Sequence, residues 1–378
     1  MRFQAERDTL ADAIAWAARA LPARPAAPVL AGMRLAVTGN TLALSTFDYE
    51  VSAQASVPVD GGEDGTVLVS GRLLAEIFKA LPARPVEMAT DGAQVTLRCG
   101  TAKFTLYTLP MDEYPSLPDM PPESGKVGAD LLAQAIGQVA VAAGKDDTLP
   151  ALTGIRMEFA DGLVALVATD RYRLAVREFP WEPVIAGTEA TVLVPARTLT
   201  EAARSFGGSA QVSIGLDAHG EDVTGCGIIG WESGGRQTTT RLLGGEYPPY
   251  QTLLPKDVDF TATAELAVAP FTEAVKRVAL VAERNTPIRL TFTRDGLMLE
   301  AGAGDEATAS ETVEASFDAE DLKVAFNPAY LLDGLTAIDS DVAVISFTSP
   351  TRPAVLTGKD EGKAADYRYV LMPIRSAG

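Results

Sequence analysis

Three carboxylates, Asp146, Asp147 and Asp170, are the residues of this 378-residue chain whose type best suits metal-assisted chemistry, because clustered Asp oxygens hold hard divalent cations. No nucleophile or base is spaced to work beside them, and "GKDDT" around the first two reads as a loop leaving a helix. The single histidine, His219, lies in the turn-like "DAHGED", so neither a Ser–His–Asp set nor an HExxH zinc motif can be assembled. Cys99 and Cys226 are far apart and in no CxxC, as expected of reduced thiols in a cytoplasmic protein. There is no GxxxxGK[ST] phosphate loop. "GAGDEA" (302–307) has GxGxxA spacing, but alternating sequence follows it where a helix is needed, so it reads as a hairpin turn. The expectation is a protein that is not an enzyme, with no metal and no cofactor.

A different stretch asks for explanation. "ATDRYRLAV" (168–176) follows the apolar alternation of "GLVALV", yet places Asp170, Arg171, Tyr172 and Arg173 in a row. A buried strand does not carry that set, and a plain solvated turn has no use for a tyrosine between arginines. Exposed side chains of this kind suit binding better than catalysis.

The elements that position them repeat. An amphipathic helix with apolar residues at i, i+4, i+7 and i+11 occurs at Leu10, Ile14, Ala17 and Leu21, at Leu132, Ile136, Val139 and Ala143, and at Phe271, Val275, Val278 and Ala282. A strand running into a second helix occurs as "VLVSGRLLAEIFKAL", "VLVPARTLTEAARSF" and "VAFNPAYLLDGLTAI", with Ser70, Pro195 and Asn327 at the helix starts. Hairpins lie between the helices, and more alternating strands follow the second one. The unit of helix, strands, helix, strands recurs with a period of about 120–135 residues. Pro-rich seams at "LPDMPPESG" and "YPPYQTLLPKD" divide an α+β protein into units 1–122, 123–253 and 254–378, joined by short linkers that favour a rigid arc.

The net charge of −18 excludes indiscriminate nucleic-acid binding over the whole surface but leaves room for a local basic face. Five of the six helices are mildly basic, and acid is concentrated in strands and loops. Such a distribution holds a polyanion along the helices and repels it elsewhere. No apolar run approaches the roughly 20 residues of a membrane span, and the first residues have no export-signal pattern, so a cytoplasmic protein without a membrane partner is expected.

Five segments in this order carry a resemblance: "LTGIRMEF" (152–159), "ATDRYRLA" (168–175), "EYPPYQTLLP" (246–255), "FNPAYLLDGL" (326–335) and "YVLMPIR" (369–375). Over its entire length the chain resembles the bacterial DNA polymerase III beta subunit, the DNA sliding clamp, of the actinobacterial type. The resemblance implies three α+β clamp domains, each two helices on antiparallel sheet, and a head-to-tail homodimeric ring around duplex DNA. Such a ring is a processivity factor. It tethers the polymerase III alpha subunit, and it also receives the clamp loader, ligase and mismatch-repair proteins.

Carried over by position, the resemblance implies a peptide pocket between the second and third domains. Its deep part would use Leu152, Thr169, Arg171, Tyr172, Arg173, Leu174, Pro248, Leu253, Val370 and Met372. Its shallow part would use Asn327, Tyr330, Thr351, Pro353, Pro373, Ile374 and Arg375. Aliphatic groups would supply the floor, and Arg and Asn the register-setting hydrogen bonds. Arg24, Arg72, Arg197, Lys276 and Arg277 would face DNA. Phe104 and Leu106 would meet Leu280 and Val281 of the partner copy. Tyr172 stands where some clamps have histidine, and the ending "RSAG" departs from the commoner Arg-Leu. The alternative is a peptide-binding scaffold that never encircles DNA, distinguished by oligomeric state and by retention on circular DNA.

Overall fold

The structure, a computed structural model, describes residues 1–206, 209–217, 227–255, 259–282, 286–302, 307–359 and 366–374. The first unit runs β1 (Arg2–Ala5), α1 (Arg7–Ala18), β2 (Gly32–Thr38), β3 (Thr41–Phe47), β4 (Val51–Pro58), β5 (Asp60–Glu63), β6 (Gly65–Ser70), α2 (Gly71–Ala80), β7 (Val86–Asp91), β8 (Gln94–Cys99) and β9 (Ala102–Tyr107). The second runs β10 (Glu123–Gly128), α3 (Ala129–Ala140), β11 (Gly154–Ala160), β12 (Leu163–Thr169), β13 (Arg173–Pro180), β14 (Glu182–Pro183), β15 (Ala190–Pro195), α4 (Ala196–Ala203), β16 (Gln211–Asp217), β17 (Ile228–Ser233) and β18 (Arg236–Arg241). The third runs β19 (Ala262–Ala267), α5 (Val268–Val278), β20 (Ile288–Thr293), β21 (Gly296–Ala301), β22 (Ala309–Val313), β23 (Ser316–Phe317), β24 (Leu322–Phe326), α6 (Pro328–Ala337), β25 (Val342–Phe347), β26 (Ala354–Gly358) and β27 (Tyr367–Leu371). The order of helices and strands is the same in all three.

The sheets do not respect the units. Each unit supplies a five-stranded and a four-stranded half-sheet, and two of these fuse across each junction. One nine-stranded sheet has the order β14-β10-β16-β17-β18-β4-β3-β2-β6, joining units one and two through β18 and β4. The other is β15-β11-β12-β13-β27-β26-β25-β19-β23, joining two and three through β13 and β27. At the ends of the chain remain β5-β1-β7-β8-β9 and β22-β21-β20-β24. Main-chain pairing across a junction satisfies strand edges that would otherwise be exposed, and fixes the angle between units.

Inside each unit the helices α1 and α2, α3 and α4, and α5 and α6 pack in pairs, α1 and α2 on β3, β4 and β6, α3 on β10, β12 and β13, and α5 on β19, β21 and β22. The predicted stripes are buried: Leu10, Ile14 and Ala17; Leu132, Ile136 and Val139; Phe271, Val275 and Val278. Full burial of one such Leu or Phe stabilises by about 1.5–3 kcal/mol. The helices end a turn earlier than the stripes suggest, so Leu21, Ala143 and Ala282 lie beyond Ala18, Ala140 and Val278. Asn327 caps α6, accepting hydrogen bonds from the backbone N–H groups of Ala329 and Tyr330. Ser70 makes no side-chain cap, because it is still a paired residue of β6 when the helix begins. Pro195 likewise holds the cap position and not the first turn.

Of the turns predicted from sequence, "GKDDT" is a loop after α3. His219, Cys226 and residues 303–306 of the "GAGDEA" turn lie outside the described residues. Cys99 is a buried free thiol.

A candidate peptide groove and candidate DNA contacts

The row "TDRYR" is a turn repeated from the first unit. Asp170 Oδ1 accepts from the N–H groups of Tyr172 and Arg173 at 3.0 and 3.1 Å, and Arg171 takes φ +80°. In unit one Asp48 Oδ1 accepts from Glu50 and Val51 at 3.0 and 2.8 Å, and Tyr49 takes φ +76°. A non-glycine residue at positive φ is uncommon, and the Asp side chain stands in for the missing turn contacts. The turn is centred on Arg171 and Tyr172, between Thr169 at the end of β12 and Arg173 at the start of β13. Thr169 braces it from within, donating to the Arg173 carbonyl at 2.7 Å and accepting from Arg171 N–H at 3.1 Å.

What unit two adds is Arg173. Its side chain is 4% exposed, with Nε 2.9 Å from Asp170 and Nη1 bonded to Asp333 on α6. Nη1 also reaches the Tyr369 hydroxyl at 3.4 Å, and the guanidinium lies 4.3 Å from the centre of the Tyr330 ring. Burial by itself would lower its pKa. The Tyr369 hydroxyl and the carboxylates of Asp333 and Asp170 outweigh that and hold it above the usual guanidinium value. Burial likewise raises Tyr369 and Tyr330. The sequence reading gave Arg173 and Asn327 to ligand hydrogen bonds. Both are committed internally, Arg173 to the junction and Asn327 to the cap of α6.

A cavity of 450 Å³ opens beside this cluster, lined by Leu152, Arg171, Tyr172, Arg173 and Tyr330 of the predicted set. Its other wall was missed: Ala143, Gly144, Lys145, Asp146 and Leu149 close it from the loop after α3. The "TLPAL" that carries Leu149 was a visible signal, since an apolar residue before a proline-started turn needs a place to pack. Hydrogen bonds from the Thr148 hydroxyl and N–H lower the pKa of Asp146. That is a loop-capping role, and among the described residues no acidic cluster is arranged to hold a metal. Tyr172 is 56% exposed, and its ring stacks on Tyr330 with centroids 6.4 Å apart.

Leu174 and Val370 do not line this cavity. They are buried with Val176 and Val355 of the junction sheet and with Tyr250. Pro248 and Leu253 sit in the segment that precedes unit three, with Leu253 37% exposed. A second cavity, of 630 Å³, takes Thr351, Pro373 and Ile374 from the predicted shallow part and adds Arg289, Glu300 and Lys323. Met372 N–H donates to the Tyr172 carbonyl at 3.0 Å, and Ile374 N–H to the Ala325 carbonyl at 2.7 Å. The segment after β27 thus runs between the turn and β24, and lines the second cavity through Pro373 and Ile374. Pro353 is half-buried beside β26, and Arg375 lies outside the described residues.

The predicted DNA-facing residues fall into two groups. Arg24, Arg72 and Arg197 are exposed, and Arg72 donates to the Pro22 carbonyl at 2.9 Å, which places it beside the loop that carries Arg24. Lys276 is paired with Glu273 at 2.8 Å. Arg277 makes two bonds to Glu311 of β22, at 3.0 and 2.6 Å, and is tied to an edge strand by them. The hydrogen bond from Arg277 holds Glu311 below the usual carboxylate range.

At the free edges, Phe104 is 37% exposed and Leu280 is 84% exposed. Leu106 is 3% exposed and belongs to the core of its own unit, so as a direct contact for a partner it is corrected to a support for the edge. Sequence alternation could not show this, because Phe104 and Leu106 share a face and only the second reaches the helices.

Three quasi-identical units, fused edge to edge with helix pairs inside their own sheets, define the sliding-clamp fold. The chain belongs to the DNA polymerase III beta subunit family: its N-terminal, central and C-terminal domain families match residues 1–118, 126–249 and 251–375. It is 54% identical to the beta sliding clamp of Streptomyces coelicolor over 381 residues, covering 100% of both chains. It is 44% identical to the beta sliding clamp homolog GriR of Streptomyces muensis, covering 99% of each. The Pseudomonas aeruginosa sliding clamp bound to griselimycin superposes with a TM-score of 0.90 at 26% identity over 99% of both chains. The Streptococcus pyogenes beta subunit gives 0.90 at 24% identity over 100% of both.

Proposed function

We propose that two copies of this chain, each divided at 1–122, 123–253 and 254–378, close head to tail around duplex DNA. The closed ring acts as a non-catalytic processivity clamp in the cytoplasm. The observation that carries this is the register of the two internal junctions. Ala53 faces Thr238 across the first, and Ala175 faces Tyr369 across the second. Ala53, Ala175 and Ala309 hold one place in the repeat, opposite Thr46, Ala168 and Ala301 of their neighbouring strands. Thr238, Tyr369 and Phe104 hold another, opposite Trp231, Leu356 and Leu97. The strands still without such a junction are β22 and β9, so the same rule sets Ala309 of one copy against Phe104 of the other. Antiparallel strand addition of this kind blunts two exposed edges at once.

A closed ring holds DNA by topology, so weak, sequence-independent phosphate contacts suffice and leave it free to slide. Arg24, Arg72, Arg197 and Lys276 supply them, while Arg277 organises the closing edge. The groove beside Tyr172 and Tyr330 receives short apolar peptides from the polymerase III alpha subunit, the clamp loader, ligase and mismatch-repair proteins. Sizing and DNA retention test the reading together. A dimer that stays on nicked circular DNA after loading and runs off linear DNA is expected. A monomer showing no such difference would instead support a peptide scaffold that does not encircle DNA.

A further inference from the structure

The junction between units one and two contains a crevice at the place where the second junction carries the Arg173 cluster. The repeat makes the comparison residue by residue. Val51 stands where unit two has Arg173, Thr198 where α6 has Tyr330, and Thr238 where β27 has Tyr369. Three large side chains that fill one junction are replaced by three small ones in the other. An open cavity of 290 Å³ lies among the three small ones, where the large ones make the clasp of the other junction. Its walls include Leu21, Pro22 and Ala23 after α1 and Asp48 of the repeated turn. These correspond to Ala143, Gly144, Lys145 and Asp170 beside the peptide groove, so both openings lie at the same end of the repeat.

Its chemistry is specific. Trp16, Leu21, Ala53 and Ala202 supply an apolar surface, and Arg19 and Arg197 stand on the walls. The carboxylates present are engaged elsewhere: Asp48 accepts from two backbone N–H groups of its own turn, and Glu201 pairs with Arg204 at 2.6 Å. Among the described residues neither Arg19 nor Arg197 has an ion pair. Two unpaired guanidinium groups over an apolar pocket complement one anion attached to an apolar body. A DNA phosphate would satisfy the arginines but leave the tryptophan and alanine surface unused. An internal peptide residue would fill the floor and leave the arginines without a partner.

We propose that this crevice is a second docking site, for the carboxy-terminal residue of a peptide chain. An aliphatic or aromatic side chain sits against Trp16 and Ala53, and the terminal carboxylate lies between Arg19 and Arg197, so that Arg197 meets a DNA phosphate only while the crevice is empty. A partner held in the groove at the second junction could then be engaged at a second point on the same face, which raises avidity without requiring a tighter groove. The proposal does not depend on whether the ring closes, because both walls belong to one chain.

Trp16 provides the readout, since it lines the crevice, while the other two tryptophans, Trp181 and Trp231, belong to the core of unit two. Acetyl-leucyl-phenylalanine with a free carboxylate is titrated into the full-length protein and Trp16 emission is followed, with Trp16→Phe as the signal control. A saturable change is expected, at least tenfold weaker for the carboxamide form and at least fivefold weaker in Arg19→Gln. Thr198→Tyr, which introduces the ring that fills the other junction, should abolish it with dimer size and melting temperature unchanged. Should Thr198→Tyr not fold, the exposed Arg19→Gln and the acid-against-amide comparison decide alone. Equal affinity for acid and amide, an undiminished response in Thr198→Tyr, or no saturable response would each overturn the proposal. So would displacement of the emission change by a short DNA duplex with no response to the peptide, which would assign the crevice to phosphate.

Discussion

Replacing Arg173 by alanine should loosen the junction between units two and three and weaken the peptide groove in the same step. Breaking a buried ion pair ordinarily costs about 3–5 kcal/mol, most of it from the charge left behind. Here the abandoned partners fare better than that. Asp170 keeps two backbone N–H donors, and Asp333 is 44% exposed and turns to water. The residual loss is one charged hydrogen bond at full strength, about 1.5–3 kcal/mol, and the guanidinium–Tyr330 contact, about 0.5–2 kcal/mol. A destabilisation of about 3 kcal/mol is expected. It should appear as faster hydrogen exchange in α6 and β27 with unit one unaffected, since large chains need not unfold in one step. Because Tyr330 loses the surface it rests on, affinity for a polymerase-tail peptide should fall about tenfold, or about 1.4 kcal/mol. Arg173→Lys should recover less than half of either effect, because a point charge cannot serve two carboxylates and stack on a ring. In a double-mutant cycle with Asp333→Ala, a coupling of about 1–2 kcal/mol is expected. Exchange in α6 unchanged within about 0.5 kcal/mol, or a lysine variant equal to the wild type, would refute the assignment of Arg173 as the clasp of this junction.

The closure register is open to cross-linking: in a Cys99→Ser, Cys226→Ser background, Phe104→Cys with Ala309→Cys should form a covalent dimer under mild oxidation, since opposed strand residues lie about 4.5–5.5 Å apart. Phe104→Cys with Ser310→Cys, one residue out of register, should cross-link far less, and the reverse preference would disprove the register. Leu152→Asp, which puts a charge in the apolar wall of the 450 Å³ cavity, should reduce peptide binding at least tenfold in a fluorescence-polarisation titration and leave dimer size unchanged. Each of Arg24→Gln, Arg72→Gln and Arg197→Gln should lower the slope of log affinity for DNA against log salt by about 0.9, whatever the DNA sequence. Burial among Val29, Leu30, Phe47 and Leu68 pushes the Tyr114 phenol up to about 12. A phenol whose folded pKa is raised above 10 stabilises the fold fully below pH 10 and loses that contribution as pH climbs towards 12. Unfolding midpoints should therefore drop by the equivalent of about 2–3 kcal/mol across that window, and Tyr114→Phe should flatten the drop.

The threefold order and the helix stripes were legible because periodicity and turn chemistry are local. Asp48 and Asp170 make the same turn in two units, and the sequence placed both in matching hairpins. What could not be read was where a side chain goes once a second unit arrives. Arg173 looked like an exposed ligand contact because its neighbours in sequence are a turn. It is buried because β27 and α6, 196 and 160 residues away in the chain, bring Tyr369 and Asp333 to it. Arg277 was assigned to the inner face from its place on a basic helix, and Glu311 redirects it. Leu149 was passed over because loops give no period to read. The same limit hid the open crevice at the first junction, which exists through what Val51, Thr198 and Thr238 lack. Absence of bulk shows only when two equivalent junctions are compared, and that comparison requires the register that folding supplies. In a chain built of repeats, the conserved pairing explains assembly. Specific function resides in the few positions where one repeat departs from the next.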